Sequence, residues 1–332
     1  MLLDGGMELV ATAGSRPAAF GSAWLWAPVF GIGLAAVLAG PLPPGGVTDL
    51  ARPAALRLLA GEFALGWTEL AALALVAGWM LAKPLCVVGA ILLLEFRFSA
   101  GAAPKDHLFA WAGQTISLGF FIGLATLFSL LDLFPQPLIR VGEAGGTAAL
   151  LLLSVPAFLI SLLIADLFGY WVHRAMHRFA WLWRFHALHH SFEIDVLRSF
   201  GHPVDHVLSI LFIGVPTALL IGTSQEQLYL IVALTSLQAQ ITHTRLPIHF
   251  GPLGGRLLCD NRYHFIHHSL DPAHYNKNFA DRFPVLDMLF GTYAAPGDGL
   301  VATGLPDRTP PRTLGQYLTV RLPERVSEAQ AR

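Results

Sequence analysis

Eight of the 14 histidines in this chain fall into three tight clusters. His173 and His177 are four residues apart; His186, His189 and His190 form the second cluster, and His264, His267 and His268 repeat its spacing. Imidazole is the commonest protein metal ligand. On a helix, positions i, i+3 and i+4 share a face, so each cluster offers two or three ring nitrogens from one turn. Eight imidazoles are too many for one ion, and the pattern asks for two. Nitrogen sites of this kind suit iron or zinc. His243, directly after an apolar run, and His202, in Gly201-His202-Pro203, are two further candidate ligands at the same level. His206, one turn past His202, would share its face. His107, His249 and His274 read as isolated hydrogen-bonding residues.

A ligating histidine usually donates its other N–H to a carboxylate or carbonyl. Asp166 lies seven residues before His173, two turns down the same face of an apolar helix. A carboxylate there needs a partner, which makes Asp166 a candidate to orient a ligand; Asp287, after the third cluster, is another. Several patterns are absent. There is no His-Glu-x-x-His peptidase signature, no Gly-x-Ser-x-Gly, no phosphate-cradling glycine loop, and too few carboxylates for a Glu-x-x-His di-iron bundle. An all-imidazole pair of irons in a membrane points to O2 activation and attack on an unactivated C–H bond of a lipid. Hydrolysis needs one metal and usually a carboxylate base, so a zinc-dependent membrane hydrolase is the alternative, with metal transport or storage a third reading.

The elements that must position these residues are read from hydropathy. Of the 332 residues, 54% are hydrophobic and 13% charged, against roughly 25% charge in a soluble domain; mean hydropathy is +0.57. Such a chain needs lipid as solvent. Its formal charge of −1 comes without a basic block, so nothing suggests nucleic acid. Cys86 and Cys259 read as small buried hydrophobes, not a disulfide. Apolar runs predict spans over 20–39, 66–82, 84–98, 109–133, 148–171, 205–222 and 226–242. Lys83-Pro84 between the second and third leaves open two half-spans, a hairpin or one kinked helix. Residues 1–19 lack the pattern of a signal peptide. Arg174, Arg178 and Arg184 follow the span at 148–171, which puts that end on the cytoplasmic side. The hairpin at 205–242 then returns His243 and the third cluster to that side. The fold class expected is an all-α integral membrane protein: a transmembrane helix bundle with a cytoplasmic histidine-rich metal-binding cap. It divides into N-terminal membrane helices (1–147), the histidine-bearing part (148–298) and a surface tail (299–332).

At these residues the chain resembles the fatty acid hydroxylase / sterol desaturase superfamily of membrane non-haem di-iron oxygenases. That family is marked by His-x-x-x-His followed twice by His-x-x-His-His. The flanks are similar too: Asp166-Leu-Phe-Gly-Tyr-Trp-Val before His173, Leu182-Trp-Arg-Phe before His186, and Asp287-Met-Leu-Phe-Gly-Thr292 after the last box. The likeness covers roughly 150–293. His243-Thr244 and Gly251-Pro-Leu253 look somewhat like the alkylglycerol monooxygenase branch. The resemblance implies that the eight clustered histidines ligate two iron ions, with His243 and His202 matching the family's isolated histidines. It also implies a membrane lipid substrate, O2, and electrons from a ferredoxin or b-type cytochrome on the cytoplasmic face.

Overall fold

The computed structural model describes residues 47–98, 107–130, 133, 135–140, 147–222, 235, 237–246 and 250–325. The span expected at 20–39 and most of the first half of the one at 226–242 lie outside them. A single parallel pair of two-residue strands aside (Ile139–Arg140 against Ile221–Gly222), the described residues form helices and loops.

Helix α1 (Val47–Leu59) packs on α2 (Trp67–Phe98). Arg57 locks that corner by reaching Glu69 at 2.7 Å and Glu62 at 3.0 Å. Helix α2 runs unbroken through residue 84, so the two short spans beside Lys83-Pro84 are one helix. Long aliphatic runs on both sides keep the helix going where one proline removes a single internal bond. Cys86 is exposed on it, against the expectation of burial, whereas Cys259 is buried.

Helix α3 (His107–Leu130) follows, then α4 (Thr147–Arg178), which outlasts its apolar run by a further two turns and carries His173 and His177 on that extension. Helix α5 (Ala180–His190) turns back immediately. Helix α6 (Pro203–Ser209) opens with Pro203 at its first position, where a missing N–H costs nothing. It passes through a π turn, Ile210–Gly214, into α7 (Val215–Leu220). A helical stretch at 237–243, α8 (Asn261–His267), α9 (Val285–Phe290) and α10 (Leu314–Leu318) complete the described chain. Gly291, at φ 74°, supplies the left-handed residue that ends α9.

Among the described residues, Pro156–Arg178 and Pro203–Leu220 are long and apolar enough to cross a membrane. Their outer faces stay apolar: Leu159 is 53% exposed, Ile160 50% and Phe212 55%. Water would not tolerate such a surface, and lipid would. One buried core joins α2 and α3 to the histidine-bearing part through Ile91, Leu188, Phe192, Leu197, Phe200 and Phe265. Phe200 lies so close to α3 that a Cβ on Gly113 would come within 2.5 Å of its ring.

The core also takes in the segment expected to be a surface tail. Tyr317 is fully buried in it and donates to Gly201 O at 2.9 Å. Gly304 N–H bonds His268 O at 3.1 Å, and Thr303 Oγ1 accepts from Ile194 N–H at 3.0 Å. Residues 302–317 are therefore a clasp over the last histidine cluster. The Gly304 amide and the Thr303 and Tyr317 side chains satisfy backbone groups of His268, Ile194 and Gly201.

Candidate metal centre

Nine histidines gather into two groups, within each of which the candidate ligand nitrogens lie within 4.8 Å of one another. The first holds His173, His177, His186, His190 and His267; the second holds His189, His243, His264 and His268. Helix geometry explains the division. At about 100° per residue, a side chain at i+4 lies about 40° to one side of i and one at i+3 about 60° to the other. The i, i+4 pair therefore stays together and i+3 diverges. Helix α5 sends His186 and His190 to the first group and His189 to the second; α8 sends His264 and His268 to the second and His267 to the first. The two helices contribute reciprocally, and the stacked rings of His190 and His268, 4.1 Å apart, form the seam.

The nitrogens converge Nε2 to Nε2. In the first group His190 Nε2 stands 3.2 Å from His177, 3.2 Å from His186 and 3.1 Å from His267. In the second, His264 Nε2 lies 3.0 Å from His243 and 3.2 Å from His268, and His243 Nε2 lies 3.3 Å from His189. Backbone carbonyls decide several tautomers: Phe279 O accepts from His173 Nδ1 at 2.8 Å, Lys277 O from His267 Nδ1 at 2.8 Å, and Ala239 O from His243 Nδ1 at 2.6 Å. A carbonyl only accepts, so those three rings carry their proton on Nδ1 and present an Nε2 lone pair inward. Burial, reinforced by neighbouring imidazoles, holds His189, His190, His264, His267 and His268 well below the ordinary histidine range, so they are neutral.

This donor set fits metal ions. One proton on His190 cannot serve three converging nitrogens, and the buried Nε2 of His173 has no hydrogen-bond partner among the described residues. Metal–nitrogen bonds of about 2.1 Å place neighbouring ligand nitrogens roughly 3.0 Å apart at right angles and roughly 3.4 Å apart at the tetrahedral angle. The observed contacts lie in that window. Cations would turn facing lone pairs from a repulsion into a bond.

His202 stands outside both groups. It caps α6, its Nδ1 accepting from Val204 N–H at 3.2 Å while its Nε2 faces Leu318 O at 3.4 Å. Both nitrogens are used where it stands. His206 is bonded to Ser117 at 2.6 Å and is also outside.

The two carboxylates expected to orient ligands hydrogen-bond to none of the nine histidines. Asp166 touches no ligand; its oxygens accept from the backbone N–H groups of Asp281, Arg282 and Phe283 at 2.8 to 3.3 Å and face the Arg282 guanidinium at 3.4 Å. Asp287, fully buried, accepts from Phe279 N, Ala280 N, Tyr263 Oη and Thr292 Oγ1. Together they fix the 279–283 loop whose Phe279 carbonyl aligns His173. For His173, His243 and His267 the ring N–H is taken by a main-chain carbonyl, which a sequence does not display. Asp205 is the acid that faces a ligand, with Oδ2 3.9 Å from His186 Nδ1.

Three asparagines escaped sequence reading. Asn261 donates to Thr244 O at 2.9 Å and Leu246 O at 2.8 Å, tying α8 to the turn after His243. Asn276 and Asn278 flank Lys277 at φ 59° and 56°. These left-handed positions aim the Lys277 carbonyl at His267, and asparagine is among the few residues that tolerate them. An Asn-Lys-Asn run was the available signal.

Residues 158–292 match the model of the fatty acid hydroxylase family. The chain is 33% identical over 139 residues to an ornithine lipid hydroxylase of Rhizobium tropici, covering 41% of each chain. It is 31% identical over 143 residues to an alkylglycerol monooxygenase of Danio rerio (43% of this chain, 31% of the relative). It is 27% identical over 151 residues to methylsterol monooxygenase 1-3 of Arabidopsis thaliana (42% and 48%). The matched stretch spans less than half the length of each of these relatives. No solved structure gives a significant match. All nine converging histidines lie within residues 158–292, the part of the chain that matches the fatty acid hydroxylase family model.

Proposed function

We propose that this chain is a membrane-bound di-iron oxygenase, an oxidoreductase that hydroxylates or desaturates a C–H bond of a lipid. The observation that carries the reading is the division of nine imidazoles into groups of five and four with their lone pairs facing one another. The ligands are those nine; His202 is a helix cap. Those nine would hold iron, which would supply the chemistry of O2 activation and C–H oxidation with two electrons from an external donor.

The chain's own residues do the rest. Phe279 O, Lys277 O and Ala239 O hold protons on Nδ1 and so keep Nε2 free. The Phe279 ring stands edge-on to His173, His177 and His267 at 5.1 to 5.6 Å, excluding water from one side. Arg174 and Arg178 lie in the last two turns of the helix Pro156–Arg178 and Arg184 just beyond it, which favours the cytoplasmic side for the site. A ferredoxin or b-type cytochrome is the class of electron donor found there. A lipid fits the apolar outer faces of the spans.

The test is the iron content of protein purified anaerobically in mild detergent, with Mössbauer spectra, for the wild type and His189→Ala. About two irons per chain, with the second group's iron and all turnover lost in the variant, is expected. Zinc without iron, even after reconstitution with ferrous iron, would overturn the oxygenase in favour of a zinc-dependent hydrolase.

A further inference from the structure

A cavity of about 790 Å³ reaches the first histidine group. His177, His190 and His267 line it, with Trp183 against them; His177 lies 4.9 Å from the Trp183 ring. The facing wall comes from residues 304–308 and 320–322, beyond the segment that matches the family. Of the lining residues, His190 and His267 are buried, whereas Arg184 and Arg321 are exposed. The cavity therefore runs from two guanidinium groups at the surface to ligand imidazoles inside.

The charges at the mouth are unequal in their commitments. Arg308 lies between Asp307 at 3.4 Å and Glu324 at 3.6 Å. Arg184 stacks on Phe185 at 5.1 Å, and among the described residues neither it nor Arg321 makes an ion pair. Exposed arginines flanking a concave site match a phosphate-type oxyanion, which the guanidinium fork meets with two parallel bonds. Behind them Trp183, Val320 and Leu322 offer apolar wall. The volume falls in the range of small-molecule sites, so a protein partner cannot occupy it, while the polar end of a lipid can.

We propose that this cavity is a substrate site for an amphiphile with a phosphate headgroup. Arg184 and Arg321 hold the anion at the mouth, the apolar walls take the adjoining carbons, and the oxidised carbon is one close to the headgroup, not deep in the tail. The position of oxidation rests on the oxygenase reading; the binding does not. Arg321 and the 304–308 and 320–322 wall lie outside the family segment while Arg184 lies within it, so headgroup choice is set jointly by the second histidine helix and the C-terminal residues that face it.

The experiment titrates full-length protein in detergent with dihexanoyl phosphatidate, dihexanoylglycerol and inorganic phosphate. Binding is followed by tryptophan fluorescence, with Trp183→Phe identifying the signal from the cavity. The phosphatidate is expected to bind about tenfold tighter than the diacylglycerol or phosphate alone. Arg184→Gln/Arg321→Gln should reduce that preference to about twofold while iron content is unchanged. Leu322→Trp, which fills the cavity, should weaken both lipids. Equal binding of the two lipids by wild type, a preference that survives the double variant, or phosphate binding as tightly as phosphatidate would each overturn the proposal. So would a double variant that binds lipid normally but accepts electrons slowly from an acidic ferredoxin, which would make the arginines a docking patch. Phosphatidate selectivity in protein that cannot take up iron would keep this site and refute the oxygenase instead.

Discussion

Replacing Asp287 should separate the fold's tolerance from the site's. The carboxylate is fully buried and accepts four hydrogen bonds: Tyr263 Oη at 2.5 Å, Thr292 Oγ1 at 2.6 Å, and the N–H groups of Phe279 and Ala280 at 2.8 Å each. A buried donor left without a partner costs about 1–3 kcal/mol. Asp287→Ala strands four, a loss of roughly 4–12 kcal/mol, comparable to the whole stability of a domain. Asp287→Asn keeps the shape. Its amide oxygen can still accept from Phe279 N–H and Thr292, and the Tyr263 hydroxyl can rotate to accept from the new NH2. Ala280 N–H cannot, so one donor is stranded and the charge assistance is lost, about 2–4 kcal/mol in all. The damage has a direction. The stranded Ala280 N–H belongs to the same peptide unit as the Phe279 carbonyl that holds His173, so the first histidine group loosens and the second does not. Urea unfolding in detergent should show Asp287→Asn folded but weakened, and Asp287→Ala largely unfolded. Iron analysis of Asp287→Asn should fall from about two per chain toward one. An Asp287→Asn protein with wild-type stability and a full complement of iron would refute the argument that this carboxylate aligns the site through the loop.

Glu95 tests the contribution of the N-terminal helices. It is buried, accepting from Thr244 Oγ1 at 2.6 Å and Arg245 N–H at 2.5 Å, beside His243. Glu95→Ala should cost roughly 2–5 kcal/mol and deplete iron from the second group; unchanged iron and unfolding midpoint would remove it from the support of His243. His202→Ala should cost about 0.5–2 kcal/mol as a lost helix cap and leave two irons in place; loss of one iron with stability intact would return His202 to the ligand set. His173→Ala should deplete the first group's iron while His264→Ala depletes the second's, and spectra showing the same residual iron in both variants would contradict the division of the nine.

The histidine clusters, their helical spacing and their place at the ends of apolar runs were legible in the residues, because these are local properties. Three or four positions along a helix fix which side chains share a face whatever surrounds them. Hydropathy likewise located α3, α4 and the Pro203–Leu220 helix to within a few residues at most ends, since lipid selects for continuous apolar length. It left Pro84 open, because the choice between a break and a continuous helix depends on what flanks the missing hydrogen bond. What lay between distant segments was out of reach. The sequence could not say that His189 parts company with His186 and His190, because that depends on where α8 faces α5. Nor could it say that Asp166 and Asp287 bind loop amides while carbonyls of Ala239, Lys277 and Phe279 set the tautomers. Main-chain groups carry no residue signature, and only the folded path of the chain aims them. His202 and the 302–317 clasp teach the same thing: residue type suggests a ligand or a solvated tail, and tertiary contact decides between that and a helix cap or a buried anchor.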